Sequence, residues 1–260
     1  DRQQEDCLIR KGFSEFKDLF TKRSLLVMAY FLKQIKIRKN SLPKNVYDLI
    51  LLTFSATLRY TNNMTISTSD WQDGRPVAWA KHAYWMSYQF VEVNPIEYIE
   101  KRIIAIKAAL TFQKVKFGSH SYLIEEFSDI TLSNEACMVL NQDSSSLPIP
   151  DESIDLVLTD PPYGGNVQYG ELSAFWLAWI YDELGVSKEY ITSLAGEILV
   201  QRKNKVNAKT YQTYYEGLKR VYMECFRVLK KGQPLVFTFN SKDAKVWMAV
   251  LKAAIDAGFM

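Results

Sequence analysis

The sequence predicts an α/β fold in which a mostly helical module, residues 1–134, precedes a strand–helix alternation over residues 135–260. Three observations carry this. Up to about residue 60, and again from residue 94, apolar residues recur at three-to-four spacing, the period of a helix with one buried face. From residue 135 they contract into short runs, "ACMVLNQD", "SIDLVLTD" and "QPLVFTFN", ending on Asp143, Asp160 and Asn240. Helical patterns lie between the last two runs and after them, so strands alternate with helices as in a parallel sheet.

Taken in order, Phe16, Leu19 and Phe20 and then "SLLVMAYFLKQIKIRK" predict helix with a basic end. Ser41 and Pro43 supply the start of a second helix, with Val46, Leu49, Ile50, Thr53, Phe54 and Leu58 on its apolar side. Residues 61–93 are turn-rich and then dense in aromatics, which predicts irregular structure or short strands. At Asn94 a helix restarts, with Asn94 as cap, Pro95 in the first turn, Glu97 closing a capping box, and Ile96, Ile99, Ile103, Ile106 and Leu110 as its face. The three later runs predict strands buried on both faces, as parallel strands are. Helices are predicted about Leu172 to Ile180, in "YYEGLKRVYMECFRVLKKG", where Tyr214, Leu218, Val221, Cys225 and Val228 align, and in "KDAKVWMAVLKAAIDAGF".

Bulk properties narrow the class of protein. A chain of 260 residues can bury one substantial core, or one core and a smaller module. Lys and Arg exceed Asp and Glu by 19 to 15 over residues 1–135, against 13 to 14 over the rest, so what positive excess exists lies in the first half. Three separated cysteines (Cys7, Cys137, Cys225) suggest neither a disulfide framework nor a metal site, and fit a reducing, cytoplasmic setting. The longest apolar stretches fall short of the roughly 20 residues of a spanning helix, so no membrane is expected.

The run ending on Asp160 continues as Pro161, Pro162 and Tyr163. Ligands of open parallel sheets collect at the carboxyl ends of strands. Two prolines there stiffen the backbone and remove neighbouring N–H donors, so an acid, a fixed carbonyl and an aromatic face are offered together. That trio suits a planar heterocycle with an exocyclic amine. Asp160 and the Pro161 carbonyl can accept from the two N–H groups of the amine and turn it toward an electrophile, while Tyr163 stacks on the ring. Positioning and electrostatics suffice for such chemistry, with no metal. The competing reading is a proline-rich turn beside a capping acid.

"TDPPY" after an apolar strand resembles motif IV of the amino-methyltransferases that use S-adenosyl-L-methionine, especially the adenine-specific DNA methylases. "NQDSSSLPIPDESIDLVLTDPPYGGNVQYGELSAFWLAWI" is similar to their acidic loop, strand, motif IV and aromatic helix, and "RVLKKGQPLVFTFNSKD" to their later helix-turn-strand. The resemblance covers about residues 135–260. It implies a partial Rossmann-like methyltransferase sheet, with Asp160, Pro161, Pro162 and Tyr163 as the catalytic motif. It also implies cofactor contacts from Asp143, Ser144 and Asp160, with Asp143 meeting the adenine of S-adenosyl-L-methionine. Such enzymes carry a glycine-rich turn for the methionine end of the cofactor, and no Gly-x-Gly occurs here; the only adjacent glycines are Gly164 and Gly165. The expectation is therefore the remainder of a longer or split methylase as partner, with the cofactor site incomplete in this chain.

The implied reaction is methylation of adenine N6 in DNA, on a base flipped out of the stack. Cytosine N4, guanine N2 of tRNA, or a non-catalytic nucleic-acid-binding subunit of the same fold stand as alternatives. In "QRKNKVNAK", Arg202, Lys203, Lys205 and Lys209 read either as a solvated loop or as contacts to DNA phosphate. Lys33, Lys36, Arg38 and Lys39 read as a soluble helix end, Trp71, Trp79 and Trp85 as core, and His82 and His120 lack ligand spacing.

Overall fold

A computed structural model describes residues 12–67, 75–79, 83–86, 89–118, 122–132, 136–189, 196–201 and 209–260. The chain is mixed α/β, with six α-helices and three two-stranded sheets among the described residues. It forms two compact units, one of residues 1–118 and 169–194, the other of residues 119–168 and 195–260. The division does not follow a single boundary near 134, because the helix after the double proline belongs with the amino-terminal unit.

The first unit is built on α1 (Lys22–Ile37), α2 (Lys44–Leu58), α3 (Pro95–Phe117) and α4 (Tyr169–Ile180), with a short antiparallel pair, β1 (Ile66–Ser67) and β2 (Pro76–Val77). Thr21 caps α1 by accepting from the Ser24 amide. The core sets Met28, Leu32 and Ile35 of α1 against Tyr47, Leu51, Phe54 and Leu58 of α2. Phe175 of α4 is fully buried there, stacked on Phe20 at 5.6 Å and edge-on to Trp79 at 5.1 Å. Trp79 is core as expected, but Trp85 is exposed, and Trp71 lies outside the described residues.

Several helix details differ from the sequence reading. Helix α2 starts after Pro43 with no side-chain cap, since the Ser41 hydroxyl donates to the Arg38 carbonyl. Its buried side is rotated toward Tyr47 and Leu51, leaving Val46 exposed. Asn94 does cap α3, accepting from the Ile96 amide, but Glu97 pairs with Lys101. The face expected on α3 is largely bare: Ile96, Ile103 and Leu110 are exposed and Tyr98 is the buried aromatic. Lys36 and Lys39, read as a solvated end, pair with Asp182 and Glu183, and Tyr47 donates to Glu183.

The second unit holds two parallel pairs, β3 (Tyr122–Leu123) with β4 (Ala136–Cys137) and β5 (Val157–Thr159) with β6 (Leu235–Phe237). Helices α5 (Tyr211–Val228) and α6 (Ala244–Asp256) pack on each other through Tyr214, Leu218, Tyr222, Val250 and Ala253, and Leu235 and Phe237 lie against that cluster. The expected burial on both faces does not hold. Leu158 and Val236, paired in register, are 70% and 44% exposed, because side chains alternate across a strand and α5 and α6 share the Leu235 and Phe237 side. The run before Asp143 is strand only at Ala136–Cys137 and pairs with β3, not with β5. Among the described residues no helix is long and apolar enough to cross a membrane.

Candidate functional site

Strand β5 delivers Asp160 one residue beyond its last pairing, between Thr159 and Phe237. Thr238, the residue that follows β6, donates its hydroxyl to Asp160 Oδ1 at 2.9 Å. Tyr163 donates to the same oxygen at 2.5 Å. These two bonds, Tyr163 first, hold the Asp160 carboxyl below the usual carboxylate range. With both hydroxyls on Oδ1, the carboxylate is fixed in rotation and its other oxygen is turned away from them.

The Tyr163 ring is itself held. It meets Phe239 edge-on at 5.1 Å, and Phe239 meets Trp247 of α6 edge-on at 4.8 Å. The Trp247 indole N–H donates to the Ser241 carbonyl at 2.9 Å, which anchors the stack to the turn after β6.

The double proline divides its two carbonyls. That of Pro162 accepts from the Gly164 amide at 3.0 Å and from the hydroxyl of Tyr214, a fully buried residue of α5. Burial pushes the Tyr214 phenol up to about 12, so it stays a donor at neutral pH. The Pro161 carbonyl has no such tie among the described residues. It is the one the sequence reading assigned to an amine.

The glycines close the loop for steric reasons. Gly164 has φ +62°, and a Cβ there would come within 2.7 Å of Val246 Cγ2. A Cβ on Gly165 would lie 2.5 Å from the Val200 carbonyl oxygen, and the Val200 amide donates to Gly164 at 3.2 Å. Only hydrogen fits at both positions, so the chain can press its backbone against residue 200.

The other sequence-predicted residues are placed differently. Asp143 and Ser144 are exposed in the loop after β4. Asp143 Oδ1 accepts from the Ser145 amide and hydroxyl, each at 2.8 Å, which keeps its carboxyl low. The following residues are bolted to α5 by Arg227, which donates to the Leu147 carbonyl at 3.1 Å, the Ile149 carbonyl at 2.9 Å, and the carboxylates of Asp151 and Glu224. Arg227 in turn lowers the Glu224 carboxyl to about 2. Arg202, Lys203 and Lys205 lie outside the described residues, as do His82, His120 and Cys7. Lys209 is described and turned inward, donating to the Glu197 carbonyl, and burial lowers its ammonium. Cys225 is buried with its thiol pushed up to about 11, an inert core residue, while Cys137 is exposed. No group of three His, Cys, Asp or Glu that could hold a metal occurs among the described residues.

Thr238 and Tyr214 were not singled out in the sequence. Thr238 had a weak signal, a polar residue inside the apolar run "QPLVFTFN" two places before Asn240. Tyr214 had none, since it sits in a stripe that reads as core and is core in all but its hydroxyl.

The site therefore presents an ionised carboxylate with one oxygen immobilised, an adjacent carbonyl, and an aromatic ring. It can accept two hydrogen bonds from a planar amine. It contains no run of backbone N–H groups at a glycine-rich turn, so the described residues do not by themselves fit the methionine end of a sulfonium cofactor. Comparisons with protein families, with curated proteins and with solved structures each return no match.

Proposed function

We propose that the loop 160–163 is the amine-binding half of a nucleobase methyltransferase site of Rossmann-like form, acting on N6 of adenine in DNA. The observation that supports this most directly is the convergence of Tyr163 and Thr238 on one oxygen of Asp160 while Pro162, but not Pro161, is tied back to Tyr214. A plain turn needs no hydroxyl from a residue 78 positions away. S-Adenosyl-L-methionine, in this reading, supplies the electrophilic methyl group. The chain's own residues bind and orient the base: Asp160 and the Pro161 carbonyl accept from its amine, and Tyr163 fixes the plane of its ring. Directing both amine hydrogens to acceptors draws the nitrogen lone pair out of conjugation and frees it to attack the electrophilic methyl carbon, whose bond to the leaving sulfur breaks as the new C–N bond forms, while the Asp160 carboxylate lies beside an N–H that then loses its proton.

The same acceptors would serve N4 of cytosine. Tyr163 presents the plain competing possibility as well, since its hydroxyl alone could be capping an ordinary turn. Titration of the chain with 2′-deoxyadenosine, with purine 2′-deoxyriboside, which lacks the amine, and with 2′-deoxycytidine separates these. The expected result is a saturable shift of the Gly164 and Gly165 amide resonances with deoxyadenosine, absent with the amine-free purine and absent in Asp160→Ala. Equal shifts with and without the amine would refute the clamp, and a stronger response to deoxycytidine would move the substrate to cytosine.

A further inference from the structure

We infer that the outward stripe of α3 is the seat of an acidic amphipathic helix from a partner polypeptide. This is independent of the chemistry at Asp160. Helix α3 packs on α2 and, less extensively, on α1. Its inner side carries Tyr98, buried and 4.7 Å from Tyr60, together with Arg102, whose guanidinium lies over the Tyr60 ring at 5.0 Å, and half-buried Ile99 and Ile106. On the opposite side, Ile104, Ala108, Phe112 and Val115 follow one another at helical spacing. Ile104 is 66%, Phe112 59% and Val115 77% exposed. From Lys107 to Lys116 every residue of the helix is exposed, so the stripe continues where the described chain covers no side of α3, and apolar residues displayed together in this way call for a cover.

Charge identifies the cover. From Lys101 to Lys116 the helix carries five basic residues and no acid. Lys101 pairs with Glu97, whereas Lys107 and Lys114, about two turns apart along one rim of the stripe, have no ion pair among the described residues. A second copy of α3 laid on the first would set lysine against lysine. A lipid surface takes a helix that lies along it with its polar face to water, whereas α3 packs on α2 and α1 with Tyr98, Ile99, Arg102 and Ile106 turned inward. Nucleic acid phosphate would draw on the lysines but leave Phe112 and Val115 in water. An aliphatic ridge edged by Glu or Asp satisfies both the stripe and its rim, and Ala108 lets such a helix approach closely.

The test is calorimetric titration of the whole chain with two synthetic peptides of equal helicity, one with Leu and Ile on its contact face and Glu on the flanks, the other with Lys on the flanks. The acidic peptide should bind at least about tenfold more tightly, the difference expected when two rim pairs change from attractive to repulsive. Ile104→Glu with Val115→Glu should abolish binding with an unchanged circular dichroism spectrum. Lys107→Glu with Lys114→Glu should reverse the preference toward the basic peptide. The inference is overturned if neither peptide binds, if both bind alike, or if the charge swap leaves the preference unchanged. Sedimentation showing self-association that Ile104→Glu with Val115→Glu removes would instead seat a second copy on the stripe. Binding to phosphatidylserine vesicles lost in the same variant would assign it to a membrane.

Discussion

Two acidic residues of the second unit, Asp160 and Asp143, both follow a strand and both have their carboxyls held low, yet they are held by different means. Asp143 takes its hydrogen bonds from Ser145, two residues on, and the loop is fastened by Arg227 through backbone carbonyls without touching Asp143. Asp160 takes one bond from Tyr163, three residues on, and one from Thr238, and its loop is fastened by a buried tyrosine of α5 and by the backbone at residue 200. A short-range bond satisfies a turn that any polypeptide could make alone. Bonds from distant elements exist only once the fold is complete, and they fix a side chain where a ligand can meet it. The contrast supports the proposal for Asp160, whose carboxylate is set by elements distant in the chain, whereas that of Asp143 is set within its own turn.

Variants sharpen or break that contrast. The largest effect is expected from Asp160→Ala, which should remove deoxyadenosine binding and, on the proposed function, reduce methyl transfer by about 100-fold or more. Circular dichroism should be unchanged, since the side chain is exposed. Wild-type transfer of labelled methyl groups by a folded variant would end the contrast outright.

Tyr163→Ala is next, losing base stacking of about 1–3 kcal/mol, a factor of roughly 5 to 150 in base affinity. Tyr163→Phe keeps the ring and the Phe239 contact but frees Asp160 Oδ1 of one donor, so it should fall between wild type and Ala. A Phe variant as impaired as Ala would transfer the role from ring to hydroxyl.

Tyr214→Phe should destabilise the fold by about 1 kcal/mol in urea denaturation, the usual worth of one hydrogen bond, and speed amide exchange at Gly164. Unchanged exchange would mean that the loop is held without it.

Thr238→Val should reduce base affinity only a few-fold but raise the Asp160 carboxyl pKa, read by carbon NMR, with Thr238→Ser restoring it. The sign is set by the lowered folded value. The stabilisation given by the two hydroxyls is complete above the unfolded carboxyl pKa, about pH 4, and is lost as pH falls through the folded one. Asp143→Ala should be the smallest, within about 0.5 kcal/mol in stability and without effect on base binding. A loss of binding comparable with that of Asp160→Ala would make Asp143 part of the site.

What the sequence disclosed of all this follows the reach of each interaction. Asp160, Pro161, Pro162 and Tyr163 are adjacent in the chain, and the strand before them is a plain apolar run, so the motif could be read directly. Thr238 and Tyr214 reach it from 78 and 52 residues away, and one-dimensional spacing carries no trace of that. Helix α3 shows the same limit from the packing side. Its isoleucines establish a helix, but apolar residues run along two faces, and only the fold reveals that Tyr98 and Ile99 lie inward while Ile104 does not. Helix α4 follows the motif immediately in sequence yet contributes Phe175 to the core of the other unit.

The edge-to-edge series Tyr163, Phe239, Trp247 also gives the site an intrinsic optical signal. A base that stacks on Tyr163 must shift or constrain a ring whose neighbour abuts the indole, so occupancy should change Trp247 emission. Trp79, Trp176 and Trp179 are packed into the aromatic core of the first unit and should contribute a steady background. Loss of the ligand-dependent change in Trp247→Phe would assign it to the right residue, and screening for ligands of this loop would then require no label.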